Sequence, residues 1–471
     1  MQPQDILFFH ITAGNSTESS DIPLIPIGTF YLADYLSRRG WRCRIVHQGL
    51  LEQKKGRGSA EDLIAAARPL MLGADLHWHY QSRPVLDFAR RVKKRFPLLP
   101  LVLGGSTATF FAEEILQNSP VIDAVVRGDA EAPLAALLKA VRGRSDWGLV
   151  PNLTWRRGPK VISNPQTHVC GDKELVEAHY PCLDLLVPDK EAYLHLTARA
   201  VMRKEGRAVI YNPTRGCPGS CIFCGGSRDA QKLLYGRRKL LVTDVPRAMR
   251  TFKVLKKEGV DFVFFPLHVP QTERFYLDLF ERLTQEGFDL GGRMDSYHLP
   301  DPAFIERFAS TFRRFARVVL SPDTGSDHLR KKIRTFYYSN EMLMDRLKVF
   351  AAAGVEVDLH FSTGFPYETP DDFEKTLKLI YVLKRRFPVN IFSSSILLDP
   401  GSRMYLEPRR YGCMMRRRDF SVFTSRQAGA FPWGYRTKNF GERQIAVMNK
   451  ILWRACRSSG RRGGGVNPAR G

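Results

Sequence analysis

The chain is predicted to fold as two α/β units in tandem, a doubly wound parallel sheet followed by a partial (β/α)6 barrel, with a small C-terminal region. Three observations predict this. Short β-rich runs alternate with amphipathic helical runs from residue 5 to about 145; a second alternation of the same kind starts at AVIYNPTRG; and between the two, over 146–205, the periodicity fades. Repeated strand–helix order calls for parallel strands whose faces are covered by helices. With 471 residues and 44% hydrophobic content, the chain can bury the cores of two or three domains.

The first block, 1–145, reads DILFFHI, PIGTFYLADYLSRRG, CRIVHQ, LIAAARPLMLGADLHWH, PVLDFARRVKKRFP, LPLVLGG, ATFFAEEIL and VIDAVVRG, a Rossmann-like rhythm. Ligands on such sheets sit at the carboxyl ends of the strands. The loops expected there are HITAGN, GADLHWHYQ, LGGSTATFF and VVRGDAE. Gly104 and Gly105 permit close backbone approach to a ligand, and Ser106 and Thr107 add hydroxyls, although glycine at a strand end also serves plain turn chemistry.

Residues 146–205 contain a hairpin pattern, WGLVPNLTWRRGPKVISNPQ, and a Pro-containing connector, and are read as a linker or small subdomain. The second block, 206–400, runs through VDFVFFPLHVP, FDLGGRMDSYH, ARVVLSPDTGS, VEVDLHFSTGFP and VNIFSSSILLDP. Six strands in this order predict a partial TIM-type barrel with functional loops at the strands' C-terminal ends. Thr369-Pro370-Asp371-Asp372 opens a helix with proline in its first turn. Residues 401–453 are expected to close the barrel, with Tyr405, Tyr411, Phe423, Trp433 and Tyr435 contacting substrate or packing. The tail 454–471 has five arginines and no acid and is expected to be disordered.

The formal charge of +24 is spread over clusters at 90–95, 312–317, 330–334 and 409–418. Such a field suits anionic partners, nucleic acid included, or simply solvates helix faces. No stretch of about 18 apolar residues and no basic segment leading an apolar run is present, so neither a membrane span nor a signal peptide is expected. Eight cysteines, most of them isolated, point to a reducing cytoplasm rather than a disulfide framework.

Chemistry concentrates in GCPGSCIFCGG at 216–226, where Cys217, Cys221 and Cys224 fall together. A structural zinc needs four ligands, and the nearest other candidates, Cys182, His195 and His268, are distant in sequence. A disulfide leaves one thiol over. An iron–sulfur cubane is satisfied by three thiolates on a glycine-rich loop, with one iron left open as a Lewis-acid position.

CPGSCIFC resembles the CxxxCxxC signature of radical S-adenosylmethionine enzymes, in the place where that family carries it. The resemblance implies that Cys217, Cys221 and Cys224 hold a [4Fe-4S] cluster. It further implies that S-adenosylmethionine chelates the open iron, that its one-electron reduction releases a 5'-deoxyadenosyl radical, and that Phe223 lies against the adenine. VDFVFFPLHVP stands where the family has Gly-Gly-Glu and departs from it, which leaves Pro266 or His268 at that position. GGRMDSYH, SPDTGSD and STGFPYET are similar to the family's cosubstrate segments and imply contacts from Arg293, Asp295, Ser321, Asp323 and Gly364. Ser321 and Asp323 have an alternative role as caps of the following helix.

LGGSTATFFAEEIL with VIDAVVRGDAEAPL resembles the cobalamin-binding domain that precedes many radical S-adenosylmethionine barrels. The implied contacts are Thr12, His77, Tyr80, Gly104, Gly105, Ser106, Thr107 and Gly128. The Asp-x-His-x-x-Gly motif of free-standing cobalamin domains is absent, so a base-off corrin is expected, its lower face covered by loop 75–83 with His77, His79, Tyr80 or Arg83 near the cobalt. Methylthiotransferases acting on tRNA share the barrel but carry three more cysteines in their first domain, where this chain has only Cys43.

The resemblance implies a cobalamin-dependent radical methyltransferase acting at an unactivated carbon of a small molecule or peptide, supplied with electrons by a flavodoxin or ferredoxin. Its alternatives are a cobalamin-dependent rearrangement or cyclisation and, from another class, a basic zinc-containing RNA-binding protein. No catalytic triad or carboxylate pair is evident, as expected where cofactors carry the chemistry.

Overall fold

A computed structural model describes residues 2–12, 24–53, 58–177, 182–424 and 434–457. Trp433 and residues 458–471 lie outside these. The first unit is built on β1 (Ile6–His10), β2 (Cys43–His47), β3 (Met71–Asp75), β4 (Leu101–Gly104), β5 (Ala124–Val126), β6 (Leu153–Arg157), β7 (Lys160–Ser163) and β8 (Leu186–Val187). Among the described residues they form one sheet in the order β7-β6-β5-β4-β3-β1-β2-β8. Strands β5 to β8 of that order are parallel, and β6 and β7 join antiparallel. Every β1 residue is buried, as befits a strand covered on both faces. The strand order reverses between β1 and β3, so the binding crevice of this sheet lies at the carboxyl ends of those two strands.

Residues 146–205, expected to form a linker or small hairpin subdomain, contain the hairpin and supply both edges of this sheet. The β6–β7 hairpin extends it beyond β5 and β8 pairs with β2.

The second unit contains β9 (Ala208–Ile210), a two-stranded clamp of β10 (Thr214–Arg215) with β11 (Leu241–Val242), and then β12 (Phe262–His268), β13 (Gly291–Ser296), β14 (Phe315–Asp323), β15 (Glu356–Thr363) and β16 (Val389–Ser395). Strands β9 and β12 to β16 form a parallel six-stranded sheet in sequential order. Alternation sorts their side chains. Phe265 faces outward onto Phe252, Tyr276, Phe280 and Phe312 of the helical layer. Phe264 faces the lumen and packs with Ala208, Ile210 and Phe315 against Ala198, Val201 and Met202. Those last three belong to a π-helical segment, Ala198–Met202, that plugs the barrel floor. Arg293 and Arg317 fasten the plug by donating to the carbonyls of Val201 and Met202.

Beyond β16 come β17 (Cys413–Met415) and β18 (Tyr435–Thr437), which pair antiparallel, and the helix Glu442–Arg457, packed on β15 and β16. That helix passes the boundary expected at 453, because Leu452 and Cys456 are buried on its inner face. Among the described residues no helix is long and apolar enough to cross a membrane.

The two units are joined by buried charge. Arg237 Nη2 donates to both carboxylate oxygens of Asp129 at 2.6 Å, and Arg215 Nη2 lies 2.5 Å from Glu131 Oε1. Arg215 Nη1 also lies 3.6 Å from Asp129. Arg215 holds the Glu131 carboxyl below the usual carboxylate range despite burial. Asp129→Ala strips Arg237 of its carboxylate partner in a dry interface, which costs about 3 kcal/mol or more. Urea denaturation of the full chain checks this, and a loss under about 1 kcal/mol would place the pair in the class of weak surface bridges.

Candidate active site

The thiol loop is framed before it is filled. The β10–β11 clamp closes its base, and Gly216, at φ +95°, turns the chain into it. The helix Arg228–Tyr235 follows, capped by Ser227, whose Oγ accepts from Ala230 N. Among the described residues, hydrogen bonds tie the loop to its surroundings: Ile222 N to Ile333 O at 3.1 Å, Met404 N to Ile222 O at 2.9 Å, Ser220 N to Thr335 Oγ1 at 2.6 Å, and Gly225 N to Asp399 Oδ2 at 3.3 Å. Cys217, Cys221 and Cys224 are half-buried free thiols. Gly219 N–H donates to Cys217 Sγ at 3.4 Å and Gly226 N–H to Cys224 Sγ at 3.3 Å, bonds that favour a thiolate. Burial works the other way, pushing the Cys224 thiol up to about 12, with Asp399 and the other two cysteines adding to it.

The donor set fits a cluster. Three free thiols on one loop give three irons of a cubane a ligand each, whereas a structural zinc would need a fourth ligand.

In the lumen, Arg293 and Asp295 share the inward face of β13, Arg293 Nε lying 3.2 Å from Asp295 Oδ1 and the guanidinium 4.6 Å from the Phe264 ring centroid. Burial raises the Asp295 carboxyl to about 6, with Arg293 opposing. Ser321 and Asp323 do not cap the next helix; Ser326 does, accepting from Leu329 N. They serve Arg334 instead, which donates to Ser321 O and lies 3.0 Å from Asp323 Oδ2. Asp323 adopts the left-handed region, φ +63°, to reach it. Arg334 is buried and interacts electrostatically with Cys217 and Cys221.

Gly364, at φ +89°, donates from its N–H to Glu368 Oε2 at 2.6 Å and accepts from Tyr435 Oη at 2.8 Å. A Cβ there would stand 2.8 Å from Tyr435 Oη. Phe223 sets its ring edge-on to Phe365, 5.3 Å away.

His268 does not join the lumen group. On unbroken alternation it would share the face of Phe262 and Phe264, but the register shifts between Phe265 and His268. Its ring turns to the helical layer, stacked on Phe304 at 4.2 Å and beside Tyr276. Pro266 sits within the shifted stretch, half-buried.

On the first unit, the expected corrin contacts gather at the carboxyl ends of β1, β3, β4 and β5. Gly105, at φ +104°, brings the β4 loop against the backbone of His77, where a Cβ would meet Cα at 2.9 Å. Thr107 Oγ1 donates to His77 O, and Gly128 N donates to Thr109 Oγ1. A Cβ on Gly49 would meet Thr12 Oγ1 at 2.8 Å, so the β1 and β2 loops also approach closely. Tyr80 stacks on Trp78, and Arg83 lies 3.5 Å from Asp87. Burial lowers both His77 and His79, which keeps their rings neutral and able to donate a lone pair.

The two sites meet. Ser106 Oγ lies 2.6 Å from Tyr235 Oη of the helix after the thiol loop and 3.4 Å from His77 Nδ1. Asp399 is shared, its Oδ1 3.5 Å from His79 Nδ1 and its Oδ2 on Gly225 N. Arg334, Asp399, Tyr235 and Glu368 were absent from the sequence-based set. Arg334 lay in the basic run RKKIR, and Asp399 lay at the end of β16, where barrel logic places functional residues.

Residues 211–380 match the model of the radical SAM superfamily, and residues 18–138 that of the B12 binding domain. An uncharacterized methyltransferase of Pyrococcus horikoshii is 26% identical over 403 residues, covering 81% of this chain and 77% of its own. The anaerobic magnesium-protoporphyrin IX monomethyl ester cyclase of Rubrivivax gelatinosus is 24% identical over 386 residues, covering 79% of this chain and 65% of its own. In fold, the chain is similar to the radical S-adenosylmethionine methyltransferase TsrM of Kitasatospora setae with cobalamin and a [4Fe-4S] cluster bound, with a TM-score of 0.70, 13% identity, and coverage of 99% of this chain and 90% of that one.

Glu368 offers a check on the Gly364 turn. Its Oε2 accepts from Thr363, Gly364 and Phe365 while Oε1 is buried with no hydrogen-bond partner among the described residues. Burial raises this carboxyl from 4.5 to about 7. A folded value above the unfolded one favours the protein at low pH, and that contribution is lost as pH climbs from about 4.5 through 7. Glu368→Gln, which cannot ionise, should match the parent near pH 4.5 and exceed it by on the order of 2 kcal/mol at pH 8. Denaturation at both pH values decides it: an equal effect at both would remove the titration from the explanation.

Proposed function

We propose, for a chain that belongs to the radical S-adenosylmethionine enzymes carrying a B12-binding domain, that its reaction is transfer of a methyl group to an unactivated carbon. The observation that carries this is the joint between the two sites, where Asp399 bonds at once to the thiol loop and to the His79 loop of the first sheet. The enzyme uses a [4Fe-4S] cluster, S-adenosylmethionine and cobalamin. When bound, they supply one-electron chemistry and a transferable methyl group. The chain's own residues do the rest. Cys217, Cys221 and Cys224 are the cluster ligands, and Arg334 places a buried positive charge beside them. Arg293, Asp295, Ser321, Asp323 and Gly364 orient the cosubstrate, with Phe223 against its base. His77, Tyr80, Thr12 and the 104–107 and 128 turns hold the corrin. Buried walls on both units exclude water from the space between.

The substrate is a small molecule or peptide entering between the two units. A second reading, ring closure or another radical rearrangement, is favoured by the similarity to cyclases. Anaerobic turnover separates them: methyl transfer releases S-adenosylhomocysteine together with 5'-deoxyadenosine, and product formed without S-adenosylhomocysteine would overturn the proposal. The eight cysteines, none in a disulfide, support a cytoplasmic setting.

Electrons must come from outside, and a flavodoxin or ferredoxin suits the surface next to Cys217. There a cavity of about 290 Å³ is lined by Cys217, Arg228, Arg238 and Lys239 among others, and those three cations are exposed. Acidic donors associate with such patches by steering that falls with salt. Arg228→Glu with Arg238→Glu should slow cluster reduction by flavodoxin by roughly tenfold or more at low salt. Reduction by dithionite, a small chemical reductant, should be unchanged in the same stopped-flow assay; equal slowing with both reductants would point to a damaged cluster instead.

A further inference from the structure

Behind the barrel wall, His268, Glu273 and His298 face one another on three different elements: the end of β12, the first turn of the helix Glu273–Gln285, and the segment after β13. His268 Nε2 lies 3.9 Å and His298 Nε2 3.7 Å from Glu273 Oε2. The three ligand atoms all lie within 4.8 Å of one another. Both Nε2 atoms are buried and, among the described residues, have no hydrogen-bond partner.

The proton inventory makes this arrangement informative. Ser296 Oγ has one hydrogen and gives it to His298 O at 2.8 Å. Its bond to His268 Nδ1 at 2.9 Å must therefore be donated by the imidazole. Nδ1 carries the proton, so Nε2 of the neutral ring presents a lone pair, and it presents that lone pair toward a carboxylate. Acceptor facing acceptor in a buried place calls for something positive between them. Ser296 holds the ring as the second shell of a metal site does, fixing both tautomer and orientation. Phe304, stacked on His268, and Tyr276 supply a dry wall.

We propose that His268, Glu273 and His298 bind one divalent transition-metal ion, zinc being an ion that takes a two-histidine, one-carboxylate set with an open fourth position. Ligand bonds of about 2.0–2.2 Å require each group to move inward by only a few tenths of an ångström. The ion stands outside the lumen and is distinct from the cluster. It ties the ends of β12 and β13 to the helix behind them, at the strand end where the expected Gly-Gly-Glu is absent. The inference does not depend on which reaction the enzyme performs.

The test uses the full-length protein, prepared anaerobically with cluster and cobalamin in place, equilibrated with Zn²⁺ and dialysed. Roughly one zinc per chain should remain, with a nitrogen and oxygen shell and no sulfur in X-ray absorption at the zinc edge. His298→Gln and Glu273→Gln should each lose most of it while keeping the cluster and cobalamin spectra. The parent's thermal midpoint should also rise with Zn²⁺, a readout that does not require the variants to fold. Failure to retain zinc, sulfur in its shell, or equal retention by both variants would overturn the proposal and leave a shared proton as the positive group.

Discussion

Everything at the joint of this molecule depends on the four-residue charge network of Asp129, Glu131, Arg215 and Arg237. Arg215 stands two positions before Cys217 and Asp129 one position after Gly128, so the network ties the root of the thiol loop to the rim of the first sheet. Buried pairs of this kind add little net stability over apolar packing, because desolvation consumes the Coulomb gain. What they add is intolerance of misplacement. A slide of one unit against the other by a few ångströms would leave charges unpaired in a dry interface, so the network acts as a register mark.

From that mark the remaining contacts follow in order. With Arg237 seated on Asp129, the helix Arg228–Tyr235 can place Tyr235 on Ser106, and the strand-end residue Asp399 can reach both Gly225 and His79. Apart from the bond between Asp399 and Gly225, which lies within the second unit, each of these contacts joins the second unit to a strand-end loop of the first. Apolar surface closes around them: Phe111 of the first unit meets Tyr405, Phe420 and Phe423 of the C-terminal region, and His79 lies 4.8 Å from the Phe423 ring. Distance control across the active space thus comes from rigid elements, which is what a reaction relayed between two cofactors demands.

The sequence made legible what is periodic or local. Strand and helix alternation follows from side-chain patterning, and three cysteines within eight positions speak through spacing alone. Long-range partners were not legible. Arg334 read as one charge in a basic run, and only folding shows it buried against Asp323; Asp399 gave no local sign of touching two loops. His268 is the instructive case, since the resemblance at β12 offered it as a lumen contact and one irregularity in register turns its ring to the helical layer. Ser321 and Asp323 are similar: capping chemistry was a sound expectation for their type, but Ser326, three residues on, holds that post.

The two edges of the first sheet have a consequence for how the chain assembles. Strand β2 waits for β8, so this sheet is complete only after Val187 has been made, while its other edge closes with the β6–β7 hairpin somewhat earlier. A chain folding from its N-terminus during synthesis therefore finishes the corrin platform shortly before the cysteine loop emerges. The cysteine loop thus follows the last strand of the first sheet in the order of synthesis, so the surface it packs against precedes it along the chain.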